Sequence, residues 1–434
     1  MARSGIAASI LLNKHGANVT LQDIKNNDIP NEIKGTTIKI YQGKQPNEII
    51  NDFDVIVLSP GIPYDAPFVK QAIKLGKYVI GEFELGAQFY KGPIYAITGT
   101  NGKTTTTMIA AHIISKVKEV TLAGNIGEAI TSQIKDVPTT CIAEVSSFQL
   151  ETIDKFSPKI AAVLNLTEDH LDRHYTMENY CKIKERIFLN QGLGDYVILN
   201  YKDNYTRYMA NHARSKVIFF NCEKNLNKLE NGAYFNKIDN SIVVVISGQW
   251  HTFSTYKFCN NLKGYHNIEN AMVAIIIALL AKVNTEVIQL GLDTFVSPPH
   301  RLEYVREING VHFYNDSKAT NPTSCIVSIS SIKGGIILIA GGVVKEVDYE
   351  ELNNTISRNV KKLILIGKDE QKLMSKFKNY ELKQTLEEAV KTAMQYATVG
   401  DNILFSPACA SFDMFKDYVK RGEAFKEIVN SLVF

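Results

Sequence analysis

The sequence has 434 residues, of which 45% are hydrophobic and 21% charged, and its formal net charge at pH 7 is +3. This length predicts about three domains, and the composition is that of an ordinary soluble, globular protein. Because basic and acidic residues are intermixed, the charge pattern indicates neither a nucleic-acid partner nor a membrane surface. The six cysteines are scattered without metal-ligand spacing, which is typical of the reducing cytoplasm.

Residues 1–92 have the pattern of a small α/β nucleotide-binding domain. A helix is predicted to Leu12 and a strand over 19–22, with Asp23 at the strand's carboxyl end; a further strand is predicted over 53–59. The strand that normally precedes the first helix of such a unit is missing. Either the chain starts downstream of the natural start, or the sheet lacks a strand. A purely structural α/β domain is the alternative.

Residues 93–296 begin with a strand, a glycine loop and a helix. The segment 94–97 is apolar and β-branched like a buried parallel strand, and apolar residues recur at helical spacing from Met108. In the loop between them, Lys103 would supply a charge to ATP phosphates and Thr104 a hydroxyl to Mg²⁺. The place of the first glycine in the general phosphate-loop pattern is taken by Ile97. An ordinary glycine-rich turn with a solvated lysine is the alternative.

Acidic residues and a histidine accompany the next predicted strands. Glu144 lies in the strand 141–145, and Asp169 and His170 follow the strand 161–166. Because ligands bind beyond the carboxyl ends of parallel strands, these side chains suit metal and substrate binding. A single acid such as Asp169 serves equally often as a helix cap.

The rest of the chain continues as alternating elements. Residues 215–262 alternate apolar and polar positions and predict meandering strands, and a buried helix is predicted from 264–270 to about Ala281. Residues 297–434, entered through a proline pair, are a third α/β unit. Its strands at 335–340, 362–366 and 401–405 alternate with helical stretches, which indicates a parallel sheet.

Several of these motifs together resemble the Mur ligases, ATP-dependent enzymes that build the peptide of bacterial peptidoglycan. The residues that carry the resemblance are Thr98 to Thr104, Asn165 to Arg173, Gly264 to Asn270, His300 with Arg301, and Asn315 to Asn321. Four segments are similar to the members that add D-glutamate: Gly124 to Gly127, Glu144 to Glu151, Asp316 to Asn321, and Ser406 to Phe415.

The resemblance covers nearly the whole chain and implies an α/β fold of three domains. These are an N-terminal Rossmann-like unit for the UDP-sugar (1–92), a central P-loop ATPase-like parallel sheet (93–296) and a C-terminal Rossmann-like domain for D-glutamate (297–434). The implied reaction joins D-glutamate to UDP-N-acetylmuramoyl-L-alanine with ATP, through an acyl phosphate. Because two anions must meet, Mg²⁺ and lysines are needed to neutralise charge. The implied protein is a cytoplasmic monomer with small-molecule partners.

The resemblance also implies catalytic and metal-binding residues. Lys103 and Thr104 would hold the phosphates and one Mg²⁺, Glu144 would be a further ligand, and His170 would bind a second Mg²⁺. Lys184 matches a lysine that the family carbamylates with CO₂.

A cation cannot bind Mg²⁺, whereas a carbamate on Lys184 supplies anionic oxygens. An unmodified surface lysine is the alternative, and Lys182 is the second choice for the modified residue.

Larger groups of residues are implied for each substrate. Those for ATP are Gly99, Thr100, Asn101, Gly102, Lys103, Thr104, Thr105, Asn270, Arg301 and Asp316, with Lys318 near the γ-phosphate. Those for D-glutamate are Thr320, Lys345, Ser411, Phe412 and Tyr418. Those for the nucleotide-sugar are Arg3, Ser4, Ile24, Lys25, Ser59, Gly61 and Asn125. Tyr418 departs from the phenylalanine usual in the family and adds a hydroxyl.

Other functions remain as alternatives. A different Mur ligase or a folylpolyglutamate synthase would act on another acceptor or amino acid, but the N-terminal nucleotide-binding pattern argues against the folate enzyme. A non-catalytic nucleotide-binding homologue is opposed by the intact Lys103, Glu144, His170 and Lys184. A P-loop ATPase of the motor or transport kind would leave the third domain unexplained.

Overall fold

The computed structural model describes residues 3–26, 28–221, 231–261, 264–296, 299–332, 334–344 and 347–432. Lys345, predicted to bind D-glutamate, lies outside these ranges, as does part of the predicted linker at 297–298. The chain divides into two compact units, described separately below. The first unit comprises Met1–Leu166, Arg173–Ser254 and Asn270–Leu292, and the second comprises Thr167–Asp172, Thr255–Glu269 and Asp293–Phe434.

The N-terminal region is built from short parallel strands and helices, as the sequence predicts. Its elements are α1 (Arg3–Lys14), β1 (Thr20–Asp23), β2 (Lys39–Gln42), β3 (Val55–Leu58), α2 (Pro67–Lys74), β4 (Tyr78–Gly81) and α3 (Glu82–Phe89). β1 pairs with β2 and β3 pairs with β4, in two separate parallel ladders. Within the described residues, no ladder joins the two pairs.

The central region contains one large sheet, whose strands belong to the first unit. The elements that begin in the central region are β5 (Ile94–Thr98), α4 (Lys103–Ile114), β6 (Val120–Gly124), β7 (Thr140–Glu144), α5 (Ser147–Leu150), β8 (Ile160–Val163), α6 (Leu171–His174), α7 (Met177–Glu185), β9 (Tyr196–Asn200), α8 (Asn204–Met209), β10 (Lys216–Phe220), β11 (Gly232–Asn236), β12 (Ser241–Ile246), β13 (Gln249–Ser254), α9 (Tyr256–Asn261), α10 (Tyr265–Leu280) and α11 (Thr285–Thr294). The strand order is β13-β12-β11-β10-β9-β8-β5-β7-β6. The strands from β6 to β11 are parallel, and β11, β12 and β13 are antiparallel.

The phosphate-loop strand β5 lies inside this sheet, between β7 and β8, and every residue of it is buried. A parallel strand covered on both faces needs an almost continuous apolar sequence, which is the pattern at 94–97. Loops at the carboxyl ends of β5, β7 and β8 therefore meet at one edge of the sheet.

The second unit contains a six-stranded sheet in the order β14-β15-β19-β16-β17-β18. Its elements from residue 303 onwards are β14 (Glu303–Ile308), β15 (Val311–Asn315), α12 (Pro322–Ser331), β16 (Ile336–Gly341), α13 (Glu350–Asn359), β17 (Val360–Ile366), α14 (Glu370–Lys376), β18 (Tyr380–Lys383), α15 (Leu386–Tyr396), β19 (Asn402–Ala408) and α16 (Tyr418–Ser431). The central strands are parallel, and β14 pairs antiparallel with β15.

Some details differ from the prediction. The predicted strands of 215–262 give way to helix α9, in which Phe258 is buried and its ring lies 6.3 Å from that of Phe295. The β14–β15 hairpin was not predicted, because polar and apolar residues do not alternate regularly along β14. The mixed α/β, three-domain class is confirmed. Among the described helices none has the length and apolar character needed to cross a bilayer.

Candidate active site

The phosphate loop follows β5 and is held in place by its own lysine and by neighbouring strands. Lys103 Nζ donates hydrogen bonds to the carbonyl oxygens of Gly99 and Thr100, both at 2.8 Å. Gly102 caps α4 in the left-handed region at φ 84°, and a Cβ there would collide with Asn270 Oδ1. Only glycine meets both demands, because other residues rarely adopt this φ.

A carboxylate lies beside the first turn of α4. Glu144, the last residue of β7, accepts a hydrogen bond from Thr104 Oγ1 at 2.6 Å and another from Asn125 Nδ2 at 2.7 Å. Glu144 is 2% exposed and Thr104 4%. The structure therefore brings together three residues that the sequence places about 20 to 40 positions apart.

The second lysine of this site comes from α7. Lys184 is 1% exposed, and its Nζ lies 3.2 Å from Thr98 Oγ1 and 3.0 Å from the Gly99 carbonyl oxygen. The same Nζ is 4.8 Å from the centre of the Tyr180 ring. Lys182, the alternative residue in the sequence, is exposed. Of the two lysines, Lys184 is thus the one at the phosphate loop.

The nucleotide-sugar residues of the N-terminal region lie in the same unit. Ser4 Oγ, on α1, donates to Ser59 Oγ at 3.3 Å, which brings the first helix against the loop after β3. The Lys25 amide donates to Asp23 Oδ1 at 2.9 Å, just after β1. Arg3, Ile24, Lys25 and Gly61 are exposed.

The second unit holds the remaining predicted nucleotide residues, and Asp316 is their most enclosed member. Its Oδ1 accepts from the Leu302 amide at 3.1 Å, and its Oδ2 accepts from Ser328 Oγ at 2.6 Å and Ser406 Oγ at 2.8 Å. Burial raises the pKa of Asp316 to about 6. Asp316 therefore fixes the backbone next to Arg301.

His170 also belongs to the second unit. It has a φ of 55°, and its Nε2 lies 3.6 Å from Asp169 Oδ2. Asn321 Nδ2 lies 3.4 Å from the same Asp169 oxygen. Asp169 thus contacts both His170 and the segment that carries Lys318 and Thr320.

Tyr418, predicted to bind D-glutamate, is the first residue of α16 and contacts Lys318, predicted near the γ-phosphate. Lys318 Nζ lies 3.1 Å from the hydroxyl of Tyr418, the group that departs from the family pattern. Ser411 is buried and Thr320 half-buried, while Phe412 is 74% exposed.

Sequence reasoning missed several residues that hold these loops. Asn165 Oδ1 accepts from the Asn101 amide at 2.8 Å and its Nδ2 donates to the Asn101 carbonyl at 3.1 Å, which fixes the tip of the phosphate loop. Arg421, 1% exposed, donates to the carbonyls of Ser317 and Cys409 at 2.8 and 3.1 Å. Burial lowers the pKa of Arg421 to about 10. Asn165 lies within a recognised motif, which was the available signal, whereas nothing local singles out Arg421.

His266 was quoted only as part of a motif. Burial, with a smaller effect from nearby Arg301, lowers its pKa to about 4. Its Nδ1 lies 3.5 Å from Ser331 Oγ. A neutral imidazole therefore lies near Arg301 at neutral pH.

A phosphate loop with a buried acid and a buried lysine defines an α/β protein of the nucleoside-triphosphate-binding class. Three family models match the chain: the Mur ligase middle domain over residues 97–278, the Mur ligase glutamate ligase domain over 300–409, and the MurD-like N-terminal domain over 1–81. The chain belongs to the Mur ligase family.

Full-length relatives identify the branch of this family as MurD. The chain is 41% identical to the UDP-N-acetylmuramoylalanine–D-glutamate ligase of Clostridioides difficile, over 100% of this chain and 97% of the relative. It is 43% identical to the protein of the same name from Thermoanaerobacter sp., over 99% of this chain and 96% of the relative.

Solved structures share the fold. A pseudomurein peptide ligase type C from Methanothermus fervidus has a TM-score of 0.61 at 19% identity, covering 99% of this chain and 97% of the other. The MurF ligase of Thermotoga maritima, solved in complex with ADP, has a TM-score of 0.61 at 18% identity, covering 86% and 93%.

Proposed function

We propose that this chain joins D-glutamate to the alanine carboxylate of UDP-N-acetylmuramoyl-L-alanine with ATP, in the synthesis of peptidoglycan precursors. The observation that carries the proposal is the cluster of Lys103, Thr104, Glu144 and Lys184 at one phosphate loop, in a chain whose full-length relatives bear that enzyme's name.

A carboxylate does not react with an amine until its oxygen becomes a good leaving group. Transfer of the γ-phosphoryl group of ATP to the alanine carboxylate gives an acyl phosphate and ADP. The amine of D-glutamate then attacks the acyl carbon, and inorganic phosphate leaves as the amide forms. Lys103 lies where it would neutralise the phosphates, which is the main requirement of phosphoryl transfer.

Magnesium is proposed at the Thr104–Glu144 pair. Their oxygens lie 2.6 Å apart, and a hydroxyl and a carboxylate are the oxygen ligands that Mg²⁺ accepts, with phosphates and water completing its shell. Bound Mg²⁺ would neutralise charge on the phosphates. His170 is the proposed ligand of a second ion.

Lys184 is proposed to carry a carbamate. Lys184 is 1% exposed and lies at the phosphate loop, where its Nζ and that of Lys103 donate to the same Gly99 oxygen. A neutral amine adds to CO₂ and releases a proton, which gives an anionic oxygen ligand in place of a cation.

The residues that the sequence implies for each substrate are proposed as its binding site. ATP is assigned to the phosphate loop residues 99–105 with Asn270, Arg301 and Asp316, and Lys318 is assigned a catalytic position near the γ-phosphate. D-glutamate is assigned to Thr320, Lys345, Ser411, Phe412 and Tyr418. The nucleotide-sugar is assigned to Arg3, Ser4, Ile24, Lys25, Ser59, Gly61 and Asn125. We further propose domain limits of 1–92, 93–296 and 297–434, and a cytoplasmic monomer.

The test is phosphate release from ATP with Mg²⁺, UDP-N-acetylmuramoyl-L-alanine and D-glutamate supplied singly and together. We expect release only with both substrates, together with a UDP-linked dipeptide detected by mass. Release with ATP alone would favour a simple ATPase. Binding of ATP without dependent turnover would favour a non-catalytic homologue. The Lys103→Ala variant is the negative control.

A further inference from the structure

A continuous chain of side chains in the first unit joins the loop at 60–62, after β3, to the phosphate loop. We propose that Arg173 and His174 are positioning residues that couple binding of the nucleotide-sugar to binding of ATP. This inference rests on the proposed function, because it concerns two substrates of that reaction, and it assigns roles to residues outside the sites described above.

The series of side-chain contacts begins at the guanidinium group of Arg173, whose side chain is 13% exposed. Its Nη2 donates to the Ile62 carbonyl at 2.9 Å and lies 3.5 Å from the Pro60 carbonyl oxygen, while Nη1 lies 3.4 Å from that of Gly61. Consecutive backbone carbonyls of this loop thus converge on one cation. Gly61 is itself a proposed nucleotide-sugar residue, so a ligand there acts on the same backbone.

The next links are a carboxylate and an imidazole. Arg173 donates through Nε and Nη2 to the two oxygens of Glu151, at 3.0 and 2.5 Å. Glu151 Oε1 lies 3.3 Å from His174 Nδ1, and His174 Nε2 lies 2.9 Å from Ser147 Oγ. His174 is 0% exposed; Ser147 holds its Nε2 by a hydrogen bond, while Glu151 lies at ion-pair distance from its Nδ1 without a hydrogen bond.

The last links reach the phosphate loop. The His174 ring stacks on the ring of Tyr180, with centroids 5.2 Å apart and planes 28° apart. The Tyr180 hydroxyl lies 3.2 Å from Thr100 Oγ1, in the loop itself. The same ring lies 4.8 Å from Lys184 Nζ. This series of side-chain contacts therefore ends at two parts of the proposed ATP and metal site, Thr100 and Lys184.

The geometry points to coupling because each link constrains the next. A guanidinium group is a rigid planar fork, so movement of the 60–62 loop turns Arg173 and the bidentate Glu151 together. Movement of Glu151 changes the distance between its carboxylate and His174 Nδ1, now 3.3 Å, and with it the electrostatic contact of the ring. A second contact between the same regions, from the Tyr175 hydroxyl to Asp65 Oδ2 at 2.9 Å, is exposed and is not part of this chain.

The test is the affinity for ADP with Mg²⁺, measured by calorimetry with and without saturating UDP-N-acetylmuramoyl-L-alanine. We expect the nucleotide-sugar to change the ADP affinity of the wild-type protein by about fivefold or more, and ADP to change the nucleotide-sugar affinity by the same factor. Arg173→Lys keeps the charge without the fork, and His174→Phe keeps the ring without its nitrogens. In both variants the nucleotide-sugar should no longer change the ADP affinity, so that the ratio of the two affinities falls to about one. The ADP affinity measured without nucleotide-sugar should change by less than about twofold.

Tyr175→Phe is the matched control and should keep the wild-type factor, because it removes an attachment of the same loop region without touching the chain. The proposal would be overturned if the nucleotide-sugar changed the ADP affinity of folded Arg173→Lys or His174→Phe protein as much as that of the wild type. It would also be overturned if the nucleotide-sugar left the ADP affinity of the wild type unchanged. Since binding is measured without turnover, a wild-type protein that shows coupling but no phosphate release would refute the proposed function alone. Failure to bind the nucleotide-sugar at all would overturn both.

Discussion

At the residue scale, the phosphate loop brings two lysine side chains to one backbone oxygen. Lys103 and Lys184 donate to the same carbonyl oxygen of Gly99. Two lysines held this close would repel each other if both were charged. A bound polyphosphate, or conversion of one amine to a carbamate, removes that repulsion.

The first residue-scale prediction concerns Lys184. We expect Lys184→Ala to abolish turnover, and a short carboxylic acid in the buffer to restore part of it by supplying the missing anionic oxygens. Phosphate release measures both effects. Lys182→Ala, on the exposed side of α7, is the matched control and should keep nearly full activity. Full activity of Lys184→Ala without added acid would contradict the carbamate.

The second concerns Asp316, whose pKa burial raises to about 6. Because its folded-state pKa lies above the ordinary pKa of an aspartate, 3.8, its contribution to stability is complete below about pH 4 and is lost as the pH rises through about 6. The free energy of unfolding should therefore fall, relative to Asp316→Asn, by up to about 3 kcal/mol between pH 4 and pH 7. Urea unfolding at the two pH values measures this difference. A pH-independent difference would refute the assignment.

At the element scale, helix α3 fastens the N-terminal region to the central sheet. Glu84 is 0% exposed, and its carboxylate accepts from the backbone amides of Asp154, Lys155 and Phe156 at 3.0 to 3.1 Å. Helix α3 is thereby attached to a segment about 70 residues further along the chain. Glu82, at the start of the same helix, accepts from Thr131, and burial raises the pKa of Glu82.

We expect Glu84→Ala to lower the free energy of unfolding by about 3 kcal/mol, because it leaves buried amides without their shared acceptor. Chemical denaturation measures the loss. Gln88→Ala is the control, because Gln88 donates to the same carboxylate through a hydrogen bond that is only partly buried. This substitution should lower the free energy of unfolding by less than about 1 kcal/mol. Equal effects of the two substitutions would show that Glu84 does not act as a clamp.

Local patterns foretold the elements that carry chemistry, whereas long-range contacts could not be foreseen. The strand, loop and helix around Lys103 are confirmed because strand burial, glycine placement and helical spacing all lie within about 20 residues. The burial of Lys184 was not predictable from the sequence of α7. The same helix carries Lys182, which is exposed, and only the packing of the helix distinguishes the two lysines. Likewise Arg173, Glu151 and His174 meet only through the fold. Glu151 and Arg173 each end a segment that carries the family resemblance, but nothing in either segment predicts that they contact each other.

At the scale of the whole molecule, the proposed substrate residues are divided between the two compact units. The described nucleotide-sugar residues belong to the first unit, and the described D-glutamate residues belong to the second. Each unit has its own sheet and its own buried core.

This division predicts separate effects of the two substrates on hydrogen exchange. UDP-N-acetylmuramoyl-L-alanine should slow exchange in peptides around residues 4, 25 and 60, and D-glutamate in peptides around 318 and 411–418. Mass spectrometry of digested protein measures the exchange, and L-glutamate is the matched control for D-glutamate. Protection by the nucleotide-sugar confined to the second unit would contradict the site assignment.

The position of β5 within the central sheet also bears on synthesis at the ribosome. β5 pairs with β7 and β8, which end at Glu144 and Val163, and Gly102 lies against Asn270, much further along the chain. A buried strand that is apolar over 94–97 must therefore wait on the order of several seconds of translation for its second neighbour, and longer still for the residue that backs its loop. During this interval the emerging chain exposes an edge suited to pairing with other chains. The strand at the centre of the mature site is thus also a strand that must be kept from mispairing while the chain is being made.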